Sequence, residues 1–161
     1  MKIRYPGQYC IDTSALIELK PYWPETFHTL WQDIERLVLE GRLLAPVSVL
    51  GELEDYQGSA DVILRWARRH RRMFVGLKLE QQRLLRKHSS VLQQVVDPRK
   101  TKEDADPYVI VLAMVEGCAV ITSERKRKEL SQRMRIPDAC DQLHIDCLSL
   151  QDWFQKEQWH Y

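Results

Sequence analysis

Short apolar runs that stop at an acidic residue constrain the fold of this chain more than any other feature. The run "YCI" (9–11) ends at Asp12, and "CAVIT" (118–122) is followed by Ser123 and Glu124. Runs of this length between turn signals are typical of buried strands. Amphipathic helical patterns lie between the runs, and this alternation predicts an α/β fold with a mostly parallel central sheet.

The length and the apolar content predict one domain. The chain has 161 residues, without an internal repeat or a linker that would divide it. No apolar run is long enough to span a bilayer, and "MKIRYPGQY" (1–9) has no apolar stretch behind its basic residues. We therefore expect a cytoplasmic protein with no membrane partner. The four cysteines lie in or beside apolar segments without a C-x-x-C pair, which indicates buried thiols rather than structural zinc.

Periodicity and turn signals predict the elements along the chain. We predict strands at about 8–12, in "RLLAP" (42–46), in "CAVIT" and near "IDCLS" (145–149). We predict helices at about 25–40, from a cap at Ser48 to about Tyr56, at about 60–74 and 79–95, at 107–116, and at the C-terminus around Trp153 and Phe154. "QGSA" (57–60) should break the chain, a basic helix should follow "CAVIT", and "IPDAC" (136–140) should form a turn.

The net charge of +1 hides a strongly basic middle section. Residues 61–90 carry nine Lys or Arg against two acids, a net +7, whereas residues 1–60 carry −4 and residues 91–161 carry −2. This section predicts a basic helical hairpin at about 60–95 that contacts an anionic polymer. The alternative is a solvated face with Ile63, Trp66 and Met73 packed inward. The candidate nucleic-acid-binding residues are Arg65, Arg68, Arg69 and Arg72, and, beside Glu124, Arg125 and Lys126.

Four acids stand at the ends of predicted buried elements. Asp12 and Glu124 follow strands, Asp106 precedes Pro107 at the start of a helix, and Glu52 lies among apolar neighbours. Each alone could be a helix cap or a first-turn acid that the helix dipole favours. Together, carboxylates that converge in a partly buried pocket repel one another and need a cation. All-oxygen ligands favour Mg²⁺ or Mn²⁺ over zinc.

Three segments in this order resemble the motifs of a PIN domain, the metal-dependent ribonuclease fold of VapC-type toxins. They are "YCIDTSALIEL" (9–19), "PVSVLGELEDY" (46–56) and "DADPYVIVLAMVEGCAVITSE" (104–124). The later "RIPDACDQL" and "IDCLSLQDWF" resemble the ending of an uncharacterised PIN-like branch. The resemblance spans nearly the whole chain and is least diagnostic at 60–95. It implies a single three-layer PIN-like domain over residues 1–161, with a central, mostly parallel sheet flanked by helices.

The resemblance also implies an activity and a set of site residues. It implies a Mg²⁺- or Mn²⁺-dependent endoribonuclease in which Asp12, Glu52 and Asp106 are the first three catalytic acids and metal ligands. Glu124 stands in the place of the fourth, where many members have Asp, and Asp104 and Asp138 are the substitutes. Ser14 and Thr122 would hydrogen-bond the carboxylates or the substrate. The implied partners are an RNA substrate, a cognate antitoxin protein and a second copy of the chain.

Two other interpretations remain open. The first is a binding module with a degenerate PIN-like site, which the replacement of Asp by Glu124 favours. The second is a phosphotransfer enzyme with an aspartyl nucleophile after the first strand, which would need an Asp where Ser14 stands. At the C-terminus, Trp159 and Tyr161 either fold back on the domain or are covered by a second copy or an antitoxin.

Overall fold

Five short parallel strands form one sheet at the centre of the protein. The structure is a computed structural model, and it describes residues 7–56, 61–100 and 102–161. The strand order is β3-β2-β1-β4-β5, with helices on the faces of the sheet, so the predicted three-layer α/β fold class is confirmed. The strands are β1 (Tyr9–Ile11), β2 (Leu43–Pro46), β3 (Phe74–Val75), β4 (Ala119–Ile121) and β5 (Cys147–Leu148).

Nine α-helices connect or flank these strands in the described part of the chain. They are α1 (Thr13–Glu18), α2 (His28–Leu39), α3 (Val47–Asp55), α4 (Asp61–Arg69), α5 (Leu79–Lys87), α6 (Ser89–Val95), α7 (Asp106–Glu116), α8 (Ile136–Gln142) and α9 (Leu150–Lys156). A 3₁₀ turn covers Arg71–Met73. None of the described helices is both long and apolar enough to cross a membrane. The predicted break at "QGSA" lies outside the described residues.

The core surrounds β1, which is buried on both faces between its neighbours β2 and β4. Tyr9 pairs with Leu43 on one side and with Ala119 on the other, both in parallel register. The helix α7 is apolar nearly all round, and it is buried from Val109 to Ala113. It ends at Gly117, whose φ of 65° lies in the left-handed region that glycine adopts without strain.

The strand order places the carboxyl ends of β1 and β4 at the centre of one edge of the sheet. From β1 the chain first builds β2 and β3 on one side, and it then crosses to add β4 and β5 on the other. The crevice between β1 and β4 is therefore the switch point at which open α/β sheets bind their ligands. The prediction that Asp12 and Glu124 follow parallel strands at one edge is confirmed.

The basic section does not form the predicted helical hairpin. Helix α4 ends at Arg69, and Phe74 and Val75 pair with Ala45 and Pro46 as a third parallel strand. A strand of two residues is too short to show a period, and the charged residues before it continue a helical pattern. Pairing with β2, which the local sequence does not reveal, therefore determines the conformation of Phe74 and Val75. The second predicted helix is also divided, into α5 and α6, at His88.

Three local predictions after β4 and around α3 are wrong as well. Residues 122–135 form no helix, because side chains take the backbone amides that a helix would use. The N–H groups of Arg127 and Lys128 donate to Asp138 (3.1 Å) and Gln132 (3.0 Å). "IPDAC" starts α8 instead of forming a turn, with proline in its first turn. Pro46, not Ser48, is the N-cap of α3.

The C-terminal aromatic residues fold back on the domain. The Trp159 ring lies 5.2 Å from the Trp153 ring, centroid to centroid, and the Tyr161 hydroxyl donates to Asp33 on α2. The described fold therefore shows the first of the two predicted alternatives for Trp159 and Tyr161.

Candidate functional site

Asp12 directly follows β1, and its carboxylate caps the N-terminus of α1. Oδ1 accepts a hydrogen bond from the Ala15 N–H at 2.9 Å, as expected of an N-cap. Oδ2 accepts from the Thr122 hydroxyl at 2.8 Å, and the Ser14 hydroxyl lies 2.9 Å from both oxygens. The side chain is 2% exposed. Two strands and one helix thus fix the orientation of a single buried carboxylate.

Asp106 enters the same region from the start of α7. It is an acid of the first helical turn, and Ala105 is the cap, so the structure shows the second of the two alternatives for Asp106. The residue is 8% exposed. In the described part of the chain, the one cation within 4 Å of its carboxylate is Arg133, whose Nη1 lies 3.7 Å from Oδ2. Asp106 is therefore a buried charge without a close, well-aligned partner.

Glu52 and Asp104 complete a tight group with Asp106. One carboxylate oxygen from each of the three lies within 4.8 Å of the others. Glu52 comes from α3 and accepts the N–H of Ala105 at 2.7 Å, which ties α3 to the start of α7. Asp104 accepts the N–H of Asp106 at 3.0 Å. Asp104, one of the two predicted substitutes, thus lies in the group itself.

The two other predicted acids are held by backbone amides. Glu124 accepts the N–H of Ile136 at 3.0 Å, and its own N–H donates to the Thr122 hydroxyl at 3.1 Å. Asp138 accepts the N–H groups of Arg127 (3.1 Å) and Arg135 (2.9 Å), so it organises the start of α8. We use the name acidic edge for the five residues Asp12, Glu52, Asp104, Asp106 and Glu124.

Electrostatics connect the members of the acidic edge. Burial raises the pKa of Asp12 to about 7 and the charge of Glu124 adds to the rise, although the bonds from Ala15, Thr122 and Ser14 oppose it. Burial also raises the pKa of Asp106, and the charges of Asp104, Glu124 and Asp12 raise it further, although the charge of Lys100 opposes the rise. Both carboxyl groups are therefore harder to ionise than an exposed aspartate.

Comparison with known families identifies the chain. A family model described as "Domain of unknown function (DUF4411)" matches residues 9–161. The chain belongs to the DUF4411 family. No curated protein matches the chain. The match spans every strand of this DUF4411 domain and all five members of the acidic edge.

Within the acidic edge, Glu52, Asp104 and Asp106 form a group that could hold a metal ion. The donors of the acidic edge are carboxylate oxygens, with no His or Cys among them, a set that suits Mg²⁺ or Mn²⁺ rather than zinc. Two of these carboxylates are buried with raised pKa values, so a divalent charge would relieve the repulsion that the fold creates.

Lys100 is a member of the site that sequence reasoning missed. Its Nζ lies 3.0 Å from Asp104 Oδ1 and 3.3 Å from Glu52 Oε2. Partial burial works to lower the pKa of Lys100, but the bond to Asp104 and the charges of Glu52 and Asp106 outweigh it and raise the pKa to about 12. The only sequence signal for this contact is the i, i+4 spacing of Lys100 and Asp104, because the connector that contains them shows no periodicity.

Glu52 and Glu124 of the acidic edge each lie in the wall of a cavity of the DUF4411 domain. A cavity of about 630 Å³ is lined by Glu52 and Lys100 together with Tyr56, Arg99 and Lys102. A second cavity, of about 580 Å³, is lined by Thr122 and Glu124 together with Arg125 and Lys126. Basic side chains stand beside carboxylates in both cavities, and the second cavity is also lined by Glu18, Asp146 and Asp152.

The predicted RNA-binding residues fall into two groups. Arg125 and Lys126 are exposed beside Glu124, and Lys126 pairs with Asp141 at 2.9 Å. Arg65, Arg68, Arg69 and Arg72 are exposed on α4 and the 3₁₀ turn after it. Ile63, Trp66 and Met73 are buried on the opposite side, as the solvated-face alternative requires. This packing is compatible with either role for the arginines.

Proposed function

We propose that this chain is a Mg²⁺- or Mn²⁺-dependent ribonuclease that hydrolyses RNA phosphodiester bonds. The observation that carries the proposal is the convergence of buried carboxylates at the switch point of a parallel sheet, with one oxygen each of Glu52, Asp104 and Asp106 within 4.8 Å. Carboxylates brought together in this way need positive charge nearby, and carboxyl groups with shifted pKa values in a crevice are typical of functional sites. The likeness to PIN domain motifs supports RNA as the substrate.

Four residues of the acidic edge have a direct part in this proposal. Asp106, Glu52 and Asp104 would hold the ion, and Asp12 would hold either the same ion or the attacking water. Ser14 and Thr122 keep the Asp12 carboxylate in place through their hydroxyl groups. When bound, the divalent cation supplies charge for the phosphate oxygens and a more acidic water. Arg125 and Lys126 attract the RNA backbone from the side of Glu124.

The proposal extends to the biological role that the likeness to VapC-type toxins implies. In that role the chain is the toxin of a toxin–antitoxin pair, and a cognate antitoxin protein covers the acidic edge.

A matched pair of variants on α3 tests the proposed nuclease activity. Glu52 belongs to the acidic edge, whereas Glu54, two residues later, is exposed and lies 3.9 Å from Arg68. We expect Glu52→Gln to lower the rate of RNA cleavage in Mn²⁺ by at least about tenfold, since it removes a ligand charge. Glu54→Gln should cleave at the wild-type rate. Equal rates for both variants, or cleavage that persists in EDTA, would contradict the proposal.

A second candidate is a binding module that holds RNA or a protein without cleaving it. It is favoured by the contacts that already engage the carboxylates, namely the Lys100 ammonium on Glu52 and Asp104 and the Ile136 N–H on Glu124. A Mn²⁺ titration separates the candidates. A nuclease requires saturable binding that Asp106→Asn weakens, whereas a binding module retains RNA without any bound metal.

A further inference from the structure

Lys100 places a positive charge inside the group that the proposed function assigns to a divalent cation. Its ammonium contacts Asp104 Oδ1 at 3.0 Å and Glu52 Oε2 at 3.3 Å. Both acids belong to the three whose carboxylate oxygens lie within 4.8 Å of one another. One side chain of the protein therefore engages two of the three closest candidate ligands.

The connector between α6 and α7 is folded so that Lys100 reaches these acids. The Lys100 N–H donates to the Asp97 carbonyl at 3.1 Å, which closes a turn over residues 97–100. Asp104 fastens the same segment, because its Oδ2 accepts the Asp97 N–H at 2.8 Å and its Oδ1 accepts the Asp106 N–H at 3.0 Å. The position of Lys100 is thus built by the fold and is not a chance contact of a free surface chain.

The Lys100 side chain can also move from the acids toward solvent. It is 36% exposed and lies in the wall of the 630 Å³ cavity, whereas the side chain of Asp104 is only 3% exposed. The acids are fixed by backbone bonds, and the lysine has a flexible stem of four carbons. Of the two partners in this contact, the ammonium is the one that can leave.

We propose that Lys100 is a built-in counter-ion of the acidic edge, which a divalent cation must displace in order to bind. The inference rests on the proposed function, since it concerns the same carboxylates. An ion at Mg–O distances of about 2 Å cannot share these oxygens with an ammonium, because two cations about 4 Å apart repel. Lys100 therefore stabilises the metal-free protein and weakens metal binding.

Titration of the purified full chain with Mn²⁺ alone tests this exchange by calorimetry. We expect Lys100→Gln to bind Mn²⁺ about tenfold more tightly than the wild type, since no ammonium has to be displaced. Lys102→Gln is the matched control, because Lys102 pairs with Asp55, at 2.5 Å, outside the acidic edge. Lys102→Gln and Lys100→Arg, which keeps the positive charge, should both bind like the wild type.

Thermal unfolding provides a second measurement without RNA. Lys100→Gln should melt at a lower temperature than the wild type in EDTA, and saturating Mn²⁺ should raise its melting temperature by more. Unchanged or weaker Mn²⁺ binding by Lys100→Gln would overturn the inference, and so would Mn²⁺ binding by Lys100→Arg that is as tight as that expected for Lys100→Gln. If the wild type still binds Mn²⁺ and Asp106→Asn does not, the proposed function survives that result. Absence of Mn²⁺ binding in every variant would overturn both.

Discussion

Asp12 combines a structural and an electrostatic role in one side chain. As an N-cap it satisfies the Ala15 N–H, and asparagine caps helices about as well as aspartate. As a member of the acidic edge it is a buried charge whose pKa is raised to about 7. The two roles separate when the charge is removed and the cap is kept.

The variant Asp12→Asn makes this separation. We expect it to be more stable than the wild type in EDTA at pH 8, by roughly 1–3 kcal/mol, because a buried like charge is gone and the Ser14 and Thr122 hydroxyls can rotate to suit an amide. RNA cleavage should be lost. Asp12→Ala, which also removes the cap, should be less stable than Asp12→Asn by about 1 kcal/mol. A less stable Asp12→Asn that still cleaves RNA would leave Asp12 only its role as a cap.

The raised pKa of Asp12 also predicts how stability depends on pH without metal. A carboxyl whose pKa is higher in the folded than in the unfolded state binds more protons when folded, so it favours folding at low pH. This contribution is complete below about pH 4 and is lost as the pH rises through about 7. Asp106, whose pKa is also raised, acts in the same direction.

Urea denaturation in EDTA between about pH 4 and 8 measures this dependence. The free energy of unfolding should fall with rising pH in the wild type and fall less in Asp12→Asn. Saturating Mn²⁺ should remove the loss, because metal binds the deprotonated carboxylates. If the free energy of unfolding of the wild type in EDTA instead rises steadily to pH 8, these acids ionise in the folded protein without destabilising it.

At the residue scale, the sequence reveals acids more readily than their partners. Asp12 and Glu124 stand out because each follows a short apolar run directly. Lys100 does not, because it lies in a polar connector, and its partner Glu52 is 48 positions away. Only the folded chain shows that a base and an acid so distant in sequence are neighbours.

At the element scale, one glycine lies at the end of a helix and another lies inside a helix, so we expect substitution by alanine to have opposite effects on stability. Gly117 ends α7 with a φ of 65°, where a side chain is strained, so Gly117→Ala should destabilise the protein by about 1 kcal/mol. Gly51 lies inside α3, and no atom lies within 4 Å of a Cβ added there. Gly51→Ala should therefore stabilise the protein by about 0.5–1 kcal/mol. Urea denaturation of both variants measures the two signs, and a common sign would contradict this account.

Elements with enough residues to show a period could be predicted, and those without could not. The apolar stripe of α2 and the runs of β1 and β4 were visible in the sequence, and the structure confirms all three. β3 has two residues, and the run of arginines before it continues a helical pattern, so the sequence does not reveal this strand. The stretch 122–135 has the composition of a helix but no apolar face, so side-chain bonds to its backbone decide its shape.

At the scale of the whole molecule, the predicted protein partners remain a prediction. Of the C-terminal aromatics, Trp159 packs against Trp153, whereas Tyr161 keeps 56% of its surface exposed. Exposed apolar side chains are found elsewhere, and Leu130, in the basic stretch after β4, is 86% exposed. An antitoxin that reaches the acidic edge from this side would cover Leu130 and meet the charges of Arg125 and Lys126.

Light scattering of the purified protein, alone and with the product of the adjacent open reading frame, tests the partner. We expect a complex in which RNA cleavage is suppressed. Leu130→Ser should weaken the complex without changing cleavage by the free protein, because its side chain is exposed. A strict monomer that ignores the neighbouring product would contradict the toxin role and leave the nuclease proposal intact.

The order of the strands along the chain also determines how late in synthesis the acidic edge can form. The acidic edge needs residues from Asp12 to Glu124, and the hydroxyl of Thr122 holds Asp12 only after β4 has docked against β1. β4 is the fourth of the five strands in the described part of the chain, so the polypeptide that first leaves the ribosome has Asp12 but not its partner. Under the proposed ribonuclease function, such an unfinished chain lacks the complete acidic edge.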